Sequence, residues 1–234
     1  MTLWQSKRKY VVPVAAWLAA AAWWVASGER TAADDLVPPS LSAVVRIEED
    51  WELIVGDPAI DRAAPQVSTQ MARSTSASRF CNFHLNSLDI PNYKQGGLQL
   101  QVWHGQDSIG VTNGVSSDVL NTSGERLTWT QYLSRDSGVL KFGISAAASQ
   151  TWGDFSGLEV TVRGGSAALD NYDATYSKNN SGVTFGANRV NSMTLLGVRK
   201  YHADGSLETD DTVRAVYPAD PYVTPPLGGG TTGN

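Results

Sequence analysis

The clearest alternation of apolar and polar residues in the chain runs from Gly97 to His104. Because successive side chains of a β-strand point to opposite faces, this segment predicts an antiparallel strand with one face on a core. The apolar face carries Leu98, Leu100 and Val102, and the polar face carries Gln99, Gln101 and Trp103.

The same alternation returns along most of the chain, in segments that Gly, Pro, Asn and Asp separate. Together they predict about ten or eleven short strands, which is typical of a sandwich or barrel. No amphipathic helix is predicted after residue 28, and residues 164–182 are predicted to be loop. The other predicted strands are 44–55, 66–72, 80–86, 107–113, 127–133, 139–145, 158–163, 183–187, 192–202 and 207–217.

Two dipeptides predict hairpins. Ser137-Gly138, after Asp136, predicts a tight turn into the strand 139–145. Asp204-Gly205 is the kind of dipeptide that a type I′ turn needs, with positive φ at both central residues, and it would join 196–202 to 207–217.

The segments Gly96 through Val102 and Gly138 through Gly143, with Trp129 between them, resemble the middle of a concanavalin A-like, LamG-type jelly roll. The resemblance covers residues of about 43 to 217. It implies two curved antiparallel sheets, a concave face able to accept an oligosaccharide or a protein loop, and often a bound calcium. The predicted fold is therefore an all-β antiparallel sandwich (jelly roll), preceded by an N-terminal hydrophobic helix.

The N-terminus indicates export. Lys7, Arg8 and Lys9 precede an apolar run over residues 10–26, and Val25-Ala26-Ser27 offers a cleavage site. Residues 1–28 are predicted to be a signal peptide or a membrane anchor; the pattern favours cleavage, and an uncleaved span through residues 10–26 is the alternative. Residues 29–42 are predicted to be a spacer, 43–217 the sandwich domain, and 218–234 a flexible tail rich in Pro, Gly and Thr.

The composition of the chain limits which classes of partner it can bind. The chain has 234 residues, a net charge of -5 and 18% charged residues. A chain with this charge does not show the clustered lysines and arginines that nucleic-acid binding requires, so no nucleic-acid partner is predicted. With Cys81 as its one cysteine the chain forms no intramolecular disulfide, and the apolar phase of its segment predicts a buried thiol.

The polar face of the strand 97–104 is the predicted ligand-binding site. Gln99 and Gln101 offer amides to sugar hydroxyls, and Trp103 offers an aromatic face for a sugar ring. Trp129 shares the phase of Leu127 and Leu133, which predicts a core position.

Glu48, Asp50 and Glu52 lie on one face of the strand 44–55, about 7 Å apart at each step. Retaining glycosidases hold their two carboxylates in such a way. By resemblance to jelly-roll glucanases, these residues match nucleophile, supporting carboxylate and acid/base, respectively. The pattern favours a solvated strand face, so Glu48, Asp50 and Glu52 are candidates only and no catalytic residue is predicted.

No cofactor is predicted, and calcium is the one candidate. Asp204, Asp210 and Asp211 near the last hairpin are its candidate ligands, but the pattern favours turn acids. The three histidines are dispersed and lack the spacing of a zinc site.

These observations predict an exported, extracellular or cell-surface protein that is not an enzyme and recognises carbohydrate or a neighbouring surface protein. One alternative is a structural subunit of a surface layer or filament, acting as a homo-oligomer. The other is a glycoside hydrolase that uses Glu48, Asp50 and Glu52.

Overall fold

The structure is a computed structural model that describes residues 42–56, 65–75, 77–87, 97–114, 120, 122–163 and 168–218. The predicted signal peptide or anchor and the predicted N-terminal helix lie outside the described residues, as does nearly all of the spacer and of the tail. Within the described residues, no helix has both the length and the apolar character needed to cross a membrane.

The described part of the chain contains thirteen strands, one short α-helix and one 3₁₀-helix, Ala187–Arg189. Most of the strands follow the alternating segments of the sequence. Their bounds are β1 Val44–Val55, β2 Gln66–Ala72, β3 Arg79–Ser87, β4 Gly97–His104, β5 Asp107–Gly114, β6 Arg126–Asp136, β7 Val139–Ser149, β8 Gly153–Asp154, β9 Glu159–Arg163, α1 Ala174–Asn180, β10 Gly182–Phe185, β11 Val190–His202, β12 Leu207–Asp210 and β13 Arg214–Tyr217.

The strands form two antiparallel sheets, as a β-sandwich requires. The larger sheet has the order β12-β11-β1-β6-β7-β8, with β13 also paired to β11 and β9 also paired to β7. The smaller sheet has the order β10-β2-β3-β4-β5. Strand β1 lies at the centre of the larger sheet, between β11 and β6, and therefore fixes the register of both neighbours.

The core lies between the sheets and is built from the apolar phase of most of the strands. Trp51 and Trp129 are cross-strand partners in the larger sheet, and their rings stack with centroids 6.2 Å apart. Phe83 of the smaller sheet meets Trp129 edge-on at 6.2 Å. Aromatic rings in such arrangements add to the stability that area burial alone provides, so this cluster joins the two sheets at their centre.

Several predictions are confirmed. Trp129 and Cys81 are buried, and the opening strand 97–104 has the predicted inward and outward phases. The hairpin turn at Ser137-Gly138 is also confirmed: both residues have positive φ, at 46° and 79°, and the flanking Asp136 and Val139 pair directly.

Other predictions are wrong. The region 164–182, predicted as loop, contains α1, which begins after Asp173 because that side chain accepts a hydrogen bond from the Thr175 amide. Strand β7 continues past residue 145 to Ser149 because β6 pairs with it as far as Ala148 and β8 pairs with its end. The predicted strand 207–217 is two strands, β12 and β13, separated by residues 211–213.

The type I′ prediction at Asp204-Gly205 is also wrong. The hairpin itself forms, but four residues separate His202 from Leu207, and only Gly205 has positive φ. The Asp204 carboxylate accepts from the amide and the hydroxyl of Ser206, which stabilises this longer loop instead.

Edge strand β5 closes one side of the sandwich against β9. Gly110 faces inward there, and a Cβ at this position would lie 2.4 Å from Cγ1 of Val160. Since Val160 is buried, its methyl group has little room to move away. A glycine is therefore required for the two sheets to approach at this edge.

We expect Gly110→Ala to lower the free energy of unfolding by about 1–3 kcal/mol because the new methyl group overlaps Val160. In the double variant Gly110→Ala/Val160→Ala, the truncation of Val160 makes room for the new methyl group. The double variant should therefore be more stable than the sum of the two single effects predicts. Urea unfolding of the four proteins measures this coupling. Strictly additive effects would show that the two residues do not touch.

Candidate functional site

A groove of about 810 Å³ crosses the outer face of the larger sheet. It runs across β7, β6, β1 and β11, so each of these strands contributes outward-facing residues to it. Its floor is made of small or hydroxyl-bearing residues, namely Thr128, Thr130, Ser145, Ala146, Ala148 and Gly197.

Two β-bulges lie at the centre of this floor. Thr130 pairs with Ala146 while its neighbour Gln131 pairs with Ile144, which leaves Ser145 as an extra residue in β7. In β11, Leu196 is extra in the same way, between the partners of Asp50 and Trp51. A bulge bends its strand and increases the local twist. Both extra residues line the groove, so the bulges contribute to its shape.

The ends of the groove lie where each edge of the larger sheet is interrupted. On one edge β8 stops at Asp154 before β9 begins, and on the other β12 stops before β13 begins. Asp154 and Ser156 line the groove at the first break, and Asp211 lines it at the second. At that second break the chain passes close to Gly197, whose Cβ would lie 3.1 Å from the Asp210 carbonyl oxygen, so a glycine allows this close approach.

An ion-pair network borders the groove. Asp50 lines it and accepts a hydrogen bond of 2.7 Å from Thr130 on the neighbouring strand. The guanidinium of Arg199 binds both Asp50 oxygens and also donates to Glu48 at 3.0 Å. Arg199 therefore pairs with two of the three carboxylates that the sequence singled out on β1, and Arg46 supplies a second positive charge to Glu48.

The third carboxylate, Glu52, is paired with Arg126. Burial acts to raise the pKa of Glu48, but hydrogen bonds from Arg46, Tyr201 and Arg199 outweigh it and hold that pKa below its ordinary value. An acid/base catalyst needs the opposite, a carboxyl whose pKa is raised towards the working pH. Only Asp50 of the three lines the groove, so the sequence motif lies beside the cavity more than inside it.

The predicted ligand-binding residues Gln99, Gln101 and Trp103 lie on the opposite side of the molecule, on the outer face of the smaller sheet. They form a chain of hydrogen bonds: Trp103 Nε1 donates to Gln101 at 2.9 Å, Gln101 donates to Gln99, and Gln99 donates to Asn113 at 2.8 Å. The three residues are brought together as the alternation predicts. They do not share a surface with Glu48, Asp50 and Glu52.

The calcium candidates are not brought together into one site. Asp204 accepts from Ser206, and Asp210 accepts from the Thr212 amide at 2.9 Å and from Arg214. Hydrogen bonds from Thr212 and Arg214 lower the pKa of Asp210 to about 2. Among the residues that the structure describes, no group of three or more acids, histidines or cysteines is placed to hold a metal ion.

A buried carboxylate is the main feature that the sequence did not reveal. Glu49 occupies the inward phase of β1 and is fully buried in the core. Three donors satisfy it: Trp51 Nε1 at 3.0 Å, the Tyr172 hydroxyl at 2.5 Å and the Ser177 hydroxyl. Burial raises the pKa of Glu49 to about 7, although these hydrogen bonds act to lower it. The one available signal was an acid at an apolar position of an alternating strand.

A second buried polar group lies beside it. Gln131 of β6 is the cross-strand partner of Glu49 and is also fully buried. It accepts from the Thr69 hydroxyl at 2.5 Å and donates to Cys81 Sγ at 3.0 Å, and both of those residues belong to the smaller sheet. The core therefore contains a polar layer that links the two sheets with directional bonds.

The pKa of Glu49 predicts how stability depends on pH. The folded pKa, about 7, exceeds the ordinary glutamate pKa of 4.5, so the folded protein keeps this proton over a pH range in which the unfolded chain loses it. The contribution is complete below pH 4.5 and is lost as the pH rises through 7, a fall on the order of 3 kcal/mol.

Urea unfolding of the native protein and of Glu49→Gln across this pH range measures the effect. We expect the fall to be absent in Glu49→Gln, which carries no titrating proton. Glu208→Gln, at a carboxylate on the surface, serves as the control and should keep the native pH profile. An unchanged profile in Glu49→Gln would mean that Glu49 stays charged throughout.

No protein-family model matches the chain, and no curated protein matches it either. A sandwich fold supports many unrelated functions, so function has to be inferred from the groove and its side chains.

Proposed function

We propose that this protein is an exported, non-catalytic recognition domain of the concanavalin A-like jelly-roll type, and that it binds an oligosaccharide in the groove of the larger sheet. The observation that carries the proposal is the groove itself. It is open at the surface, spans several strands and has a size typical of ligand sites.

The chemistry of the floor suits a sugar. Thr128, Thr130 and Ser145 present hydroxyl groups, while Ala146 and Ala148 present methyl groups between them. A sugar offers hydroxyls around a ring with apolar C–H faces, so both kinds of contact are available to it. The absence of large side chains at these five positions leaves room for a chain of sugar rings to lie across the strands.

Binding is favoured over turnover by the state of the acids. Glu48 and Asp50 are held by Arg199, and Glu52 by Arg126, so each carboxylate on this strand face already has a cationic partner. A glycosidase needs one carboxyl free to give a proton and a second placed to attack the sugar. The network instead suits a rigid wall for a binding site.

A second candidate function, assembly with further copies of this chain, is supported by edge strand β5. Its exposed face carries Ile109 and Val111, which are 38% and 49% exposed. Among the described strands only β4 pairs with it. An edge strand without a charged or proline residue at its exposed apolar positions invites pairing with another chain.

Filling the groove tests the first proposal. We expect Ala146→Trp to abolish retention of the native protein's ligands on a glycan array, because the indole occupies the floor between β6 and β7. Thermal stability should change little, since Ala146 faces solvent. Thr161→Trp is the matched control: it adds the same indole to an exposed position of β9 in the same sheet, outside the groove, and should bind as the native protein does.

Trp103→Ala distinguishes glycan binding on the smaller sheet from glycan binding in the groove. If glycan binding survives Ala146→Trp but is lost in Trp103→Ala, the site is the amide face of the smaller sheet and the groove proposal is wrong. If no glycan binds the native protein, carbohydrate recognition itself is wrong.

Light scattering over a concentration series tests assembly. We expect Val111→Lys to shift the native protein from oligomer to monomer, because a lysine on an edge strand opposes strand pairing. Val213→Lys places the same charge at an exposed position near the edge of the other sheet and should leave the mass unchanged. A native protein that stays monomeric at every concentration would contradict assembly.

A further inference from the structure

The groove carries an uneven distribution of charge. Three of its lining residues are acidic, Asp50, Asp154 and Asp211, whereas no lysine, arginine or histidine lines it. A ligand in the groove therefore meets carboxylates and no cation from the lining residues.

The arginines that border the groove do not offset this charge. Arg199 lies between Asp50 and Glu48, and Arg126 is paired with Glu52. Together with Arg46, which also pairs with Glu48, these residues form a network whose charges cancel within it. The net charge of the groove is therefore the charge of its two other lining acids, Asp154 and Asp211.

Those two acids, Asp154 and Asp211, are exposed, and neither takes part in an ion pair within the described residues. Hydrogen bonds from Ser156 hold the pKa of Asp154 below its ordinary value, so this group is charged at neutral pH. Each acid is therefore available to a cation on a ligand.

The distance between the two acids determines how far apart the cations of a ligand must be to reach both. Asp154 belongs to β8, whereas Asp211 follows β12 and lies against Gly197 of β11. Four strand spacings separate β8 from β11, which places the carboxylates roughly 20 Å apart. A ligand with one charge reaches one of them, whereas a chain of charged units reaches both.

We propose that the groove selects oligosaccharides built from amino sugars with free, protonated amines, over neutral sugars and over uronic acids. This inference rests on the proposed function, because the hydroxyl-bearing floor between the two carboxylates is what matches a sugar. The terminal carboxylates add attraction for ammonium groups and repulsion for sugar carboxylates.

Calorimetric titration with three hexasaccharides tests the selection, using glucosamine, N-acetylglucosamine and galacturonic acid oligomers in low salt and slightly acidic buffer. We expect the glucosamine oligomer to bind the native protein about tenfold more tightly than the N-acetylated one. The uronic acid oligomer should bind most weakly. Added salt should remove most of the difference because the two carboxylates are exposed.

The double variant Asp154→Asn/Asp211→Asn should lose the preference for the amine and keep its affinity for the N-acetylated oligomer. Asp107→Asn/Asp136→Asn makes the same change in net charge at exposed positions that do not line the groove. This control should retain the preference of the native protein, which separates a local effect from the overall charge of the chain.

The outcomes distinguish the two claims. Equal affinity for the amine and N-acetyl oligomers would overturn the selection and leave carbohydrate recognition standing. No binding of any oligomer would overturn both. A lysine oligopeptide that binds as tightly as the glucosamine oligomer, with the same loss in Asp154→Asn/Asp211→Asn, would show a cation site without sugar selectivity and would also overturn the inference.

Discussion

The burial of Glu49 is the constraint on which much of the structure depends. A carboxylate in the centre of a sandwich is costly unless donors surround it, and β1 alone supplies just one, the Trp51 indole. The other two come from Tyr172 and from Ser177 in α1. Residues 172–177 are thus held against the core by hydrogen bonds as well as by apolar contact. Removing those donors would leave an unpaired buried acid, so these residues and the centre of β1 stabilise one another.

The larger sheet acquires its groove from breaks in regularity. Extra residues at Ser145 and Leu196 bend β7 and β11 in the middle of the floor, and the division of each edge into two short strands lets the chain rise at Asp154 and Asp211. A sheet with unbroken edge strands and no bulges would present a flatter face. The same breaks also limit the length of exposed edge available for pairing with other chains.

Alternation along the sequence was enough to predict most of the strands and their inward phases, because those properties are local and follow from a period of two. The arrangement in two sheets was expected from the resemblance to a concanavalin A-like jelly roll. Alternation could not predict which strands become neighbours, since pairing depends on contacts distant in sequence. The predicted face of Gln99, Gln101 and Trp103 and the groove across β7, β6, β1 and β11 therefore lie on different sheets, which alternation alone could not show. Bulges at Ser145 and Leu196 leave no mark in composition, and α1 is too short to show a helical period.

Glu49 and Asp50 connect the core to the groove. They are adjacent on β1 and point to opposite faces, so a shift of β1 by one residue would exchange them, placing Asp50 in the core and Glu49 outside. The three donors that surround Glu49 oppose that shift, and on the other face so does Arg199, which binds Asp50 and Glu48 in the observed register. The geometry of the groove wall is therefore determined partly by hydrogen bonds on the far side of the same strand. A variant that disturbs Glu49 would therefore alter the groove although Glu49 does not line it. Substitutions at Asp154 and Asp211, by contrast, change the charge of the groove and leave the register of β1 as it is.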